Sequence, residues 1–505
     1  MKRLNPVMSG LLCGLLAAAC AAGEPQTSAE QDEAALFLWS LNTTSSEARQ
    51  HVADGMREWD MERGPEAYEH FQRAIAADPD LALAHLFAAG SAQSQQDVRA
   101  HLDHAVERAQ GAGEVGRLII EIVRKNVEND AEGALEAARR LVEIDGDNPR
   151  SWILLADMHN ALAQRQEGRE AVDRALELQP GFAFAHMWLA WSYSVFEPLD
   201  LARAEAHARH AVELAPNEVT PHDYLGDALR QQGRLEEAAQ AYTAGAELDP
   251  TNALMIQQRG HVNTFLGRFA EARADYDAAA ALEPHGNRKA TFLVYSPLVN
   301  VYEGRPGPAI GELEAVYGAV DGMGIPDPVA VKTFVTVQQF EIARHHRMLP
   351  EARAAAARLT ELNRQRIAAI GTDDVRRIAE GFIALDAGRV AALAGDYALA
   401  RQKAAEFVRI REPERNPNRN QPAHQLLGTV ALMQERYEDA LREFDLSDPN
   451  NTYVAYQRGL ALEALGRTAE AREAYERVSQ TYLNNIEVAV TRGDALRRLQ
   501  ALTGN

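Results

Sequence analysis

Four prolines set the terms on which this chain can fold. Pro180, Pro216, Pro250 and Pro284 lie 36, 34 and 34 residues apart, each closing a run such as AELDP or AALEP. A period near 34 residues marks stacked helical hairpins, in which one unit buries its apolar face only against the next copy. Aligned on those prolines, small residues fall in step. Ala156, Ala190, Gly226 and Gly260 recur in the first helix of each unit, and Gly168, Ala204, Ala238 and Ala272 in the second. Two antiparallel helices approach closely only where facing side chains are small, while Leu155, Leu189, Leu225, Tyr242 and Tyr276 fill the remaining core. The proline then stops the second helix, because it lacks an N–H and clashes with the preceding turn.

The run LGDALRQQGRLEEAAQAYTAGAELDP over residues 225–250, with Trp152 and Leu155 at the early aromatic and leucine positions, resembles the tetratricopeptide repeat family. The resemblance extends upstream to a unit from about Ala48 to Asp80, carrying Gly55, Ala67, Phe71, Ala74 and Pro79, and to a weaker one around Ala134 ending near Pro149. Downstream, Gly388, Gly428 and Gly459 pair with Ala400, Ala440 and Ala471, both sets spaced 40 and then 31 residues apart. The resemblance implies an all-α, right-handed α-solenoid of about ten to twelve hairpins, closed by a capping helix from about Asn484 to Leu502. The expected organisation is an N-terminal array over 48–286, degenerate repeats over 287–380 and C-terminal units over 381–505. Gly304-Arg305-Pro306-Gly307-Pro308 and the run from Asp321 to Pro328 predict a bent or loop-extended junction. The proline-rich stretch 411–422 predicts a linker or long exposed loop.

Both cysteines, Cys13 and Cys20, fall in the first twenty residues, so the body holds no disulfide and no thiolate metal site. Lys2 and Arg3, the apolar run from Val7 to Ala19 and the small residues after it form a secretory signal peptide over 1–19. Leu16-Ala17-Ala18-Ala19-Cys20 resembles a bacterial lipobox, which implies acylation of Cys20; ordinary cleavage near Ala19 is the alternative. Each buried methylene of an acyl chain contributes about 0.8 kcal/mol, so several chains hold a soluble body on a membrane surface. Residues 20–47 then form a tether and lead-in, the small polar stretch from about Ala21 to Gln31 being too poor in apolar groups to bury itself. The expected address is the cell envelope, outer membrane and periplasm-facing.

Net charge decides against a nucleic-acid partner: −21 with no basic stretch leaves nothing to neutralise phosphates. Gly111-x-Gly113-x-x-Gly116 spells a dinucleotide fingerprint, but no strand precedes it, and a turn between hairpins accounts for it. His101-x-x-His104-x-x-Glu107 and His207-x-x-His210-x-x-Glu213 each align two imidazoles and a carboxylate on one side of a helix, a plausible part of a zinc ligand set. No third histidine or cysteine follows at ligand spacing, so surface histidines are the reading kept there and at His345-His346. No arrangement supplies a nucleophile or activated water, and with 73 Asp and Glu, acidic pairs carry little information. The expectation is a protein without catalytic residues, cofactor or metal.

In tetratricopeptide arrays the first helices line a concave groove whose exposed positions meet the ligand. Carried onto this sequence, those positions are Phe184, Met187 and Trp191 with Trp188 adjacent, then Asp223, Asp227 and Arg230, then Gln257, His261 and Phe265. Aromatic residues with arginine favour interfaces. The resemblance therefore implies an interaction scaffold that holds an envelope or periplasmic protein. Two alternatives stand: Trp188 packs between neighbouring hairpins, or Phe184, Trp188 and Trp191 stack on a glycan or another small ligand.

Overall fold

The computed structural model describes residues 39–504 other than Gln93, Pro284, His285, Pro326 and Arg415. The expected signal peptide, Cys20 and most of the expected lead-in lie outside the described residues. Within them every regular element is helical, and twenty-five α-helices succeed one another. The chain divides into two compact units, one ending at Met255 and the other starting at Ile256.

The first unit opens with α1 (Ser46–Asp60), α2 (Gly64–Ala77), α3 (Ala82–Ser91) and α4 (Gln95–Glu107). It continues through α5 (Gly113–Val127), α6 (Ala131–Ile144), α7 (Pro149–Ala161) and α8 (Arg165–Leu178). The last two hairpins are α9 (Ala183–Val195) with α10 (Leu201–Leu214) and α11 (Val219–Gln231) with α12 (Leu235–Leu248). One apolar core runs from Trp39 to Ala228.

The boundary falls inside α13 (Ala253–Phe265), which precedes α14 (Phe269–Leu282). There follow α15 (Gly286–Tyr302), α16 (Pro306–Ala319), α17 (Pro328–His345), α18 (Leu349–Ile370) and α19 (Asp373–Leu393). The unit ends with α20 (Tyr397–Arg411), α21 (Gln421–Met433), α22 (Tyr437–Asp445), α23 (Thr452–Ala464), α24 (Thr468–Ser479) and α25 (Ile486–Thr503). Twelve hairpins and one final helix match the expected count.

The small residues do what their spacing implied. A Cβ on Gly55, Gly226, Gly428 or Gly459 would stand 2.5, 2.4, 2.4 and 2.4 Å from the rings of Phe71, Tyr242, Phe444 and Tyr475, and one on Gly260 2.7 Å from Tyr276. Every such pair is sixteen residues apart, so the glycine of the first helix makes room for the ring of the second. Where the first helix carries Ala156, the residue sixteen on is the smaller Val172, and both are fully buried.

In the breaker-rich stretch a short turn joins α15 to α16, and a 3-10 turn over Val320–Gly322 lies in the longer connection from α16 to α17. Gly304 takes φ +74°, Pro306 starts α16 where no N–H is needed, and Pro328 starts α17 in the same way. The 411–422 stretch is a connection between α20 and α21, anchored by buried Arg411 on Glu414. Gly111 lies in a 3-10 turn over Ala109–Ala112, between the second and third hairpins, and Gly113 and Gly116 lie in the first turn of α5.

Each unit closes on itself. In the first, the turn after α1 reaches α11: Thr220 Oγ1 donates to the Met61 carbonyl at 2.7 Å, Tyr224 donates to Glu62 at 2.5 Å, and Arg63 pairs with Glu218. Buried Arg150 of α7 pairs with buried Asp60 of α1, and Trp39 donates its indole N–H to Ser151 at 2.9 Å. In the second, α25 does more than cap, because it packs on α15, α17 and α23 as well as on α24.

Candidate functional site

The inner face of the first unit holds an apolar cavity of ≈ 110 Å³. Met56 and Trp59 of α1, Phe87 of α3, Val123 of α5, Ile153 of α7 and Phe184 of α9 wall it, with Trp39 at its edge. Two polar groups reach it, Arg150 and Asp157. Arg150 is neutralised by Asp60, with one guanidinium N–H to Oδ1 at 2.9 Å. Burial raises the Asp157 carboxyl to about 6 against the lowering effect of the Trp188 indole N–H, which donates to its Oδ1 at 2.9 Å. The cavity is thus a hydrophobic recess with a single acceptor edge. Its volume is below the roughly 300–1,000 Å³ of small-molecule sites and suits one inserted side chain.

The positions expected to line an exposed groove divide three ways. Phe184 reaches the cavity, half-buried. Met187 and Trp188 are buried, and Trp188 packs between hairpins, its ring against Gly168 of α8 and its N–H on Asp157 of α7. Trp191 is half-buried, edge-on to Trp188 and to Phe196. Asp223 is half-buried. Asp227 accepts from the Tyr242 hydroxyl and from Arg230, both at 2.6 Å. Arg230 is buried, so it acts as a bridge inside its hairpin and not as an exposed cation. The exposure expected of Met187, Trp188 and Arg230 is corrected, because helix packing claims these side chains.

His261 and Phe265 meet the chain's own C-terminal segment, and Gln257 lies against His261. Asn484 Nδ2 lies 3.0 Å from His261 Nδ1 and donates to Tyr276 at 2.8 Å, while Tyr302 donates to Asn484 Oδ1 at 2.9 Å. Gln257 and His261 are buried, and Phe265 lies edge-on to Tyr482 with the Arg492 guanidinium 5.2 Å from its centroid. Sequence reasoning missed this cover because nothing periodic links 261 to 484. A second opening of ≈ 270 Å³ in this unit is lined by Arg344, Arg389, His345, Tyr453 and Asp494, the last held down to about 2 chiefly by its hydrogen bond with His345.

The two helical histidine motifs each gain a third imidazole from the preceding helix. His186 Nε2 donates to the Pro180 carbonyl at 3.0 Å, so its Nδ1 accepts from His207 Nδ1 at 3.0 Å. His85 repeats the arrangement, with Nε2 on the Pro79 carbonyl at 3.1 Å and Nδ1 3.4 Å from His101 Nδ1.

A family model described as tetratricopeptide repeat matches residues 219–252, which hold α11 and α12, and a second of the same description matches 426–482, through α24. These two stretches are tetratricopeptide repeats. Over 146 residues the chain is 23% identical to anaphase-promoting complex subunit 3 of Schizosaccharomyces pombe, covering 29% of this chain and 22% of that relative. The solved structure of YrrB, described as a TPR protein with an unusual peptide-binding site, is 17% identical with a TM-score of 0.29, covering 38% of this chain and 95% of its own. PilW, described as a type IV pilus biogenesis factor, is 13% identical with a TM-score of 0.35, covering 43% of this chain and 97% of its own.

Proposed function

We propose that this protein is a non-catalytic interaction scaffold, held at a bacterial envelope through lipid on Cys20, that binds a periplasmic or envelope protein at the inner face of its first unit. The observation that carries the reading is the recess walled by Trp59, Phe87, Val123 and Phe184. Buried apolar pockets that receive one anchoring side chain are where interface energy concentrates. The tetratricopeptide stretches support the same class of function, since stacked hairpins of this kind present surfaces for polypeptides. Asp157 adds an acceptor for a donor at the tip of the anchor, as tryptophan or tyrosine would bring. A glycan reading has less support, because Trp188 has no free face to offer a sugar ring.

A photo-crosslinking residue in place of Val127, at the cavity edge, tests this in cells. One envelope protein is expected as the adduct, lost in Val123→Trp, which fills the recess from a half-buried position. An adduct pattern indifferent to Val123→Trp removes the recess as the site. Acyl labelling lost in Cys20→Ser tests the anchor separately.

A further inference from the structure

The first hairpin brings together a group of ligand type that no motif announced. His51 and Asp54 stand three residues apart on α1, hence on one face, and His70 faces them from α2. One ligand atom from each lies within 4.8 Å of the others. The Nδ1 atoms of His51 and His70 are both buried and without a hydrogen-bond partner. Buried polar atoms are satisfied in the great majority of cases, so two orphans converging beside a carboxylate need a cause. The carboxylate is already oriented: Gln50 donates to Asp54 Oδ1 at 3.0 Å and Arg57 pairs with the same oxygen. Oδ2 is left facing His70 Nδ1 at 4.0 Å, too far for a hydrogen bond.

We infer that His51, Asp54 and His70 form a site for a borderline divalent cation, zinc by preference, that clips α1 to α2. Two imidazoles and one carboxylate are a standard zinc donor set, and three protein ligands leave a fourth position for water or a partner's group. Bonds of about 2.1 Å in a tetrahedron set ligand atoms roughly 3.4 Å apart, so closure asks for about an ångström of side-chain rotation. Gln50 and Arg57 are the outer contacts that hold a ligating carboxylate in place. The clip stiffens the hairpin that carries Trp59 to the cavity and Glu62 and Arg63 to α11.

The test is calorimetric titration of the chelator-treated full-length protein with Zn²⁺, with the visible spectrum of Co²⁺ as a second readout. One ion per chain, tetrahedral cobalt bands, and affinity at least tenfold weaker in both His70→Gln and Asp54→Asn are expected. A His101→Gln/His207→Gln variant should bind as wild type. Absence of saturable binding overturns the site. So does binding that survives His70→Gln and is lost in His101→Gln/His207→Gln. Circular dichroism of each metal-free variant separates lost ligation from lost folding, and the cobalt spectrum of wild type decides the matter if a variant does not fold.

Discussion

Gly428 and Phe444 show how little slack a hairpin has. A methyl on Gly428 would stand 2.4 Å from the Phe444 ring, and Phe444 is buried with nowhere to swing. Overpacking of this sort costs about 1–3 kcal/mol. Gly428→Ala should therefore lower the urea midpoint, and Phe444→Leu in the same chain should recover part of the loss; additive losses in a double-mutant cycle would count against direct contact. Asp157 is a second residue-scale case. Its folded pKa of about 6 lies above the ordinary 3.8, so keeping it ionised opposes folding above pH 6, and the penalty fades as pH falls toward 3.8. Asp157→Asn keeps the acceptor for Trp188 and removes the charge. A gain of about 1–2 kcal/mol at pH 7.5, vanishing below pH 4, is expected from denaturation across that range.

At the scale of elements, the paired histidines tie α9 to α10 and make that hairpin acid-sensitive. His207 is lowered from 6.5 to about 4, first by burial and then by the charges of His186, His210 and Arg203. The unfolded chain takes the proton first, so stability is whole above about pH 6.5 and falls as pH drops toward 4. Thermal melts of wild type should lose ground across that window, and those of His207→Gln should lose less; parallel curves would refute the assignment. The hairpins themselves were legible in the sequence, because proline stops and the recurrence of Gly226, Gly260, Gly428 and Gly459 are local, periodic signals. The breaker residues give a short turn between α15 and α16, where Gly304 and Pro306 serve an ordinary helix-to-helix connection, and a longer connection before α17. The third imidazoles were invisible, because His85 and His186 lie sixteen and twenty-one residues from the nitrogens they meet.

At the scale of the whole molecule, each unit turns far enough to touch its own beginning, and this decides which surfaces remain for a partner. In the first, Asp60 and Arg150 meet 90 residues apart, and Glu62 and Tyr224 meet 162 apart, enclosing the recess as they do so. No period encodes such contacts, so phase alone placed Met187, Gln257 and His261 on an open groove where the fold buries them. In the second, the segment from Tyr482 to Arg492 lies over His261 and Phe265, and Asn484 is its polar clasp, joined to Tyr276 and Tyr302. Asn484→Ala takes from the Tyr302 hydroxyl the acceptor it uses there, and a buried group left short costs about 1–3 kcal/mol. Amides of α25 should then exchange faster by hydrogen-exchange mass spectrometry, while those of α1 to α11 keep wild-type protection. The asymmetry follows from α25 being held across the unit by α15 and α17, elements that the first unit does not share. Unchanged exchange in α25 would mean that the apolar contacts of Ile486, Ala489 and Val490 with Val294, Leu298 and Ile342 hold it without the clasp.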